Sequence, residues 1–167
     1  MIKIIGAKGN IQNVESFLKI IDNFSKNNKI IIQVFNADTI YGKNHLISAF
    51  EHAKRSYERN SNTTNSLGME ILLYASGERQ LKTAIPKIGI KNGKSNIAFL
   101  FINSKISNQL INQLLGKLSL TRNDEVLNGD IKTLKKFGIT ELELKTINKE
   151  KFENLIFEKI ALVDIIK

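Results

Sequence analysis

The sequence has no cysteine, which excludes disulfides, thiolate metal sites and a cysteine nucleophile together. A reducing, cytoplasmic compartment fits that composition. Only two histidines occur, His45 and His52. On one helix they stand about two turns apart, ~10 Å along the axis, too far to share a metal ion as the four-apart pair of a zinc helix does. No basic segment followed by a long apolar run opens the chain, and nowhere does it offer the ~20 uninterrupted apolar residues of a membrane span. Neither export nor membrane insertion is expected.

Catalytic signatures are lacking too. There is no G-x-S-x-G elbow, and carboxylates such as Asp22, Asp38, Glu51 and Glu78 are scattered without a paired spacing. Gly89 to Ser95 (GIKNGKS) is superficially similar to a phosphate loop, but it is one residue short between its glycines and precedes a strand pattern where it should follow one. No catalytic residue, metal, cofactor or small-molecule substrate is assigned, and an enzyme is not expected.

What is present is positive charge. Lysine and arginine total 25 against 16 acidic residues, a net +9 in 167 residues, so the summed field attracts polyanions. Either this charge merely keeps the surface solvated or it meets a polyanion, with RNA, DNA and anionic lipid all open on charge alone. Three of the four arginines, Arg55, Arg59 and Arg79, lie in one short stretch, and arginine is suited to forked phosphate contacts and base stacking.

Isoleucine- and valine-rich runs at Met1 to Ile5, Lys29 to Phe35 and Ser95 to Ile102 read as buried strands. Gly6 to Asn10 reads as the turn after the first, leading into a helix with Val14, Phe17, Leu18, Ile21 and Phe24 on one face. A helix from Lys43 to Asn60 places Leu46, Phe50, Ala53 and Tyr57 inward. That spacing points His45, Ser48, His52, Arg55 and Arg59 outward as a basic ridge. Ser66 to Ala75 is a third helix, stopped by Ser76-Gly77; a fourth runs from near Glu78 to before Gly89, with the chain's only proline, Pro86, inside it. Helical patterns recur at Ile106 to Leu118, Asp130 to Phe137 and Lys149 to Ile160. Thr140 to Ile147 suits either a strand, through Leu142 and Leu144, or a helix capped by Thr140. These elements predict one mixed α/β (α+β) domain spanning residues 1–167, a small central sheet covered by helices.

Two blocks carry a resemblance. Asn36 to Leu46, NADTIYGKNHL, followed by Ala49, Ala53 and Arg55, and then Glu70 to Gln80, EILLYASGERQ, followed by Ala84, Ile85 and Gly89-Ile90, resemble in order the two signature stretches of the small regulatory subunit of the KEOPS tRNA-modification complex. Gly68 departs from expectation, since a glycine inside a helix costs about 1 kcal/mol relative to alanine. The resemblance implies a non-catalytic accessory subunit that docks on the kinase-like ATPase subunit of KEOPS. It further implies binding of tRNA through the single-stranded 3′ CCA end. A protein-only module that activates a kinase-like partner is the alternative.

For RNA the residues singled out are Arg79 and Gln80, at the start of a helix where free N–H groups favour a phosphate, with His45, Arg55 and Arg59 from the ridge. Tyr74 offers a stacking surface, and Lys43 or Lys82 a diffuse attraction. Against this, Arg79 pairs with Glu70 or Glu78, and Tyr74 belongs to the core. In Phe152 to Ile166 apolar residues surround too much of a helix for one small sheet to cover. Phe157 and Ile160 are either left for a partner or hidden by a strand at the chain end.

Overall fold

Ten residues, Ile2–Ile11, form the first strand, β1, in the computed structural model, which describes residues 1–103 and 105–166. The strand therefore runs through the glycines read above as a turn. Antiparallel pairing with β3 (Gly93–Ile102) holds β1 in register from Ile2 opposite Ile102 to Ile11 opposite Gly93, and this ladder outweighs the poor strand preference of glycine. Gly6 serves close approach instead. A Cβ there would lie 2.5 Å from both the Asn123 carbonyl oxygen and Val126 Cγ2. β2 (Ile31–Asn36) pairs with the other side of β3, and the short β4 (Thr121–Arg122) with β1, giving an antiparallel sheet ordered β2-β3-β1-β4.

Alternation along the strands divides the core into two layers. Ile97, Phe99 and Phe101 of β3, with Ile5 and Val34, face α1 (Val14–Asn28) and α5 (Asn108–Lys117). Leu18 of α1 nevertheless stays exposed. Ile4, Phe35, Ala98 and Leu100 face the remaining helices: α2 (Lys43–Glu58), α3 (Leu67–Ser76), α4 (Leu81–Ile88), α6 (Ile131–Phe137), α7 (Glu141–Lys145) and α8 (Phe152–Ile166). The expected mixed α/β architecture with a helix-covered sheet is what forms.

Local capping decides several boundaries. Asn13 accepts from Ser16 N–H at 2.8 Å to start α1, and Lys29, with φ 53°, ends it. Thr140 and Glu143 form a reciprocal capping box, which settles the ambiguous stretch as the helix α7. The C-terminal stretch stays helical to Ile166, so no strand forms there.

Gly68 sits in the first turn of α3, buried, where a Cβ would lie 2.7 Å from Gln33 Oε1. Its place is set by the packing of α3 over β2, while the flexible end of Gln33 can yield. The two glycines should therefore respond differently. Gly6→Ala, which meets backbone, is expected to lose roughly 2 kcal/mol of stability through overpacking; Gly68→Ala should change it by less than about 1 kcal/mol. Urea unfolding of both variants measures this, and equal losses would refute it.

Candidate functional site

Helices α2 and α3 pack as an antiparallel pair, tied near each end by a buried polar side chain. Near the start of α2, His45 is fully buried; its Nδ1 accepts from the Tyr41 N–H at 3.1 Å, so its Nε2–H donates to the Ala75 carbonyl at 2.8 Å. Burial holds its pKa down to about 4, and nearby Lys87 pushes the same way against the Ala75 hydrogen bond. Near the end of α2, Ser56 donates to buried Glu70 of α3 at 3.1 Å. That carboxylate also accepts from the Thr63 and Thr64 N–H groups and the Thr64 hydroxyl, so one buried charge organises the polar 60–66 loop.

The predicted ridge on α2 is corrected accordingly. His45 points inward because α2 is covered by both α3 and α8, which widens its buried face to include His45 and Ser56 beside Leu46, Ala49 and Ala53. Tyr74 is also interior: it is completely buried and its hydroxyl donates to Asp164 of α8, so it offers no stacking surface. His52 joins the same clasp, its Nδ1 2.7 Å from Asp164 Oδ2 and its ring beside Tyr74.

The arginines that cluster in sequence separate in space. Arg55 is half-buried and Arg59 exposed, both at the end of α2 beside the start of α3. Arg79 lies past the other end of α3, which spans ten residues, ~15 Å. Gln80 and Lys82 follow Arg79 at that second end, whereas Lys43, at the start of α2, lines a hollow with Asp124, Glu125 and Glu153; Lys43, Arg79, Gln80 and Lys82 are all exposed.

The turn that presents Arg79 is tightly built. Gly77 takes φ 70°, its N–H bonds the Tyr74 carbonyl at 3.1 Å, and the Glu78 N–H reaches the Leu73 carbonyl at 3.3 Å, the Schellman pattern. Ser76 Oγ accepts a second bond from the Glu78 N–H. Glu78 itself pairs with Lys87 at 3.2 Å, and the Lys87 ammonium sits 4.1 Å above the Phe137 ring. With Glu70 buried and Glu78 committed to Lys87, neither carboxylate neutralises Arg79, which makes no ion pair among the described residues. Gln80 starts α4 without a side-chain cap; the Thr83 N–H bonds the Gln80 carbonyl at 3.2 Å, and the Leu81 and Lys82 N–H groups beside Arg79 have no partner among the described residues.

Two features were missed by sequence reasoning. Ile85 is 46% exposed although Leu81, Ala84, Ile85 and Ile88 have perfect helical spacing, so no pattern distinguishes it. On α8, Ile160 is fully buried and Phe157 half-buried; Leu162, Ile165 (78% exposed) and Ile166 are the apolar residues left outside. Ile160 lies on the stripe formed by Phe152, Leu155, Ile156 and Val163 that packs toward α2 and α3.

The family model for the kinase binding protein CGI-121 matches residues 9–164, including the α2–α3 pair and its turn. The chain belongs to the CGI-121 family. A curated relative from Methanocaldococcus jannaschii, named regulatory protein Cgi121, is 28% identical over 140 residues, covering 81% of this chain and 84% of the relative. Both sequence blocks that carry the resemblance lie within the matched region, and in this CGI-121 family member His45 of the first block bonds Ala75 of the second.

The buried imidazole generates a pH dependence. With a folded pKa of about 4 against 6.5 unfolded, His45 contributes roughly 3 kcal/mol above pH 6.5, and that contribution is lost as pH falls toward 4. Stability should thus decline between pH 6.5 and 5 in the natural chain, and less steeply in His45→Gln. Denaturation midpoints across this range, with an NMR titration of the His45 ring, check it.

Proposed function

We propose that this chain is a non-catalytic regulatory subunit of a KEOPS-type complex, binding the kinase-like ATPase subunit and recruiting tRNA by its 3′ CCA end. Membership of a family described as kinase binding, and the regulatory name of the archaeal relative, support the kinase-binding half. For the RNA half the observation that carries most weight is the 76–82 turn: an exposed arginine with no carboxylate partner among the described residues, held beside a helix start without a side-chain cap.

On this reading Arg79 forks onto a backbone phosphate or stacks on a terminal base, Gln80 hydrogen-bonds, and Lys43 and Lys82 supply attraction. Ile85 adds an apolar surface on the same helix. His45 acts from inside, by holding Ala75 and hence the turn. Arg55 and Arg59, at the far end of the helix pair, serve at most a more distant stretch of RNA. Function in the cytoplasm, where tRNA is modified, fits the lack of cysteine, and among the described residues no helix is long and apolar enough to cross a membrane.

A second reading, a kinase-activating module without RNA binding, is favoured by the exposed Leu162, Ile165 and Ile166 at the end of α8, an apolar surface suited to a protein partner. One experiment separates the two. Intact tRNA should bind more tightly than tRNA lacking its CCA end, and Arg79→Ala should weaken intact tRNA by roughly tenfold while flattening the salt dependence. Equal affinity for the two RNAs would sink CCA capture. Co-purification with the ATPase subunit, without any tRNA binding at physiological salt, decides for the second reading.

A further inference from the structure

The helices that cover one face of the sheet stop short of its far end. On that face Ile4, Phe35, Ala98 and Leu100 are buried, yet the same alternation continues into Lys8 and Asn10 of β1 and Lys94 and Asn96 of β3. These polar residues floor an open cleft of about 850 Å³ bordered by Asp38, Thr121 and Asn123. A neighbouring hollow of about 350 Å³ shares Lys8, Asp38 and Asn96 and is walled by Lys132 and Lys136 of α6, with Glu125 opposite.

The charges are not balanced internally. Asp38 accepts from Asn96 Nδ2 at 2.9 Å and lies 3.6 Å from the Lys136 ammonium. Asp130 is spent capping α6, through the Thr133 N–H and hydroxyl. Lys8, Lys94 and Lys132 make no ion pair among the described residues, and all three are exposed. Lys8 stands opposite Asn96 and Lys94 opposite Asn10, so the two lysines lie diagonally across neighbouring strands, roughly 7–8 Å apart. Lys132 and Lys136 are one helical turn apart, ~6 Å.

Such a row suits a polymer better than a small ligand. Exposed lysines gain little from one hydrated phosphate, whereas several phosphates on one chain add their counterion release. The cleft is also joined to the Arg79 turn by α4, eight residues or ~12 Å long, and the link after it carries Lys91.

We infer that this sheet-floor cleft is a second RNA contact, in which Lys8 and Lys94, flanked by Lys132 and Lys136, hold backbone phosphates 5′ of the strand end taken by the Arg79 turn. It rests on the RNA-binding reading above and adds a contact that reads charge without sequence. Asp38, the cleft's central carboxylate, opposes it.

The test compares intact tRNA with tRNA lacking CCA, across a salt series, for the natural chain, Lys8→Ala/Lys94→Ala, Asp38→Asn and Arg79→Ala, with thermal melts of each. The lysine pair variant should weaken both RNAs by the same factor, roughly five- to tenfold, and reduce the salt slope by about 1.5. Arg79→Ala should weaken only intact tRNA. Asp38→Asn should tighten both a few-fold, a gain that misfolding cannot produce. An unchanged salt slope in the lysine variant, or an effect that vanishes without CCA, overturns the second contact while leaving CCA capture standing. Failure of the natural chain to bind either RNA overturns both.

Discussion

The α2–α3 pair is held at its ends by two buried polar residues, and most of what surrounds it follows from how each is satisfied. His45 must remain neutral to lie where it does, and it does so by spending both ring nitrogens on backbone, Tyr41 before α2 and Ala75 in the last turn of α3. Glu70 stays buried by drawing the 60–66 loop onto itself through Thr63 and Thr64. Unpaired polar groups in such positions cost about 1–3 kcal/mol each, more when charged. Each bond therefore ties a loop to the helix pair as firmly as an apolar contact would.

This bracing has an electrostatic consequence at the protein surface. Glu70 is withdrawn into the interior and Glu78 is turned toward Lys87, whose ammonium also rests on Phe137. Arg79 is left exposed on a turn whose backbone is set by the Schellman bonds and pressed by α8, since a Cβ on Gly77 would lie 3.3 Å from Lys159 Cβ. With its backbone set in advance, only the Arg79 side chain has to be ordered on binding. The Tyr74–Asp164–His52 clasp plays the matching role for the C-terminal helix, and leaves the apolar end of α8 projecting beyond it.

Elements with a strong period were legible beforehand. The helix over Val14–Asn28 follows from Phe17, Ile21 and Phe24, and the stop at Gly77 from the left-handed conformation glycine adopts there. In β1, Gly6 and Gly9 look like turn residues in the sequence, while their role is to admit the 119–126 segment against the sheet. The α2 ridge was misplaced for a related reason. Periodicity identifies one buried stripe, but a helix packed against two other helices has a wider buried face, and a histidine or serine joins it once a partner is supplied from elsewhere in the chain. Of the RNA candidates Arg79, Gln80 and Lys82 follow one another at one end of α3, and Arg55 and Arg59 stand at the end of α2 beside the other end of α3.

By itself the sequence determined the composition-level facts, a basic, cysteine-free mixed α/β chain, and the family, through two ordered blocks of local pattern. Those depend on residue type and spacing alone. Which cations remain unpaired, which face of the sheet stays open at Lys8 and Lys94, and whether His45 and Tyr74 meet solvent were decided by the tertiary structure. Burial and pairing depend on neighbours distant in the chain: Ala75 for His45, Asp164 for Tyr74, Lys136 for Asp38.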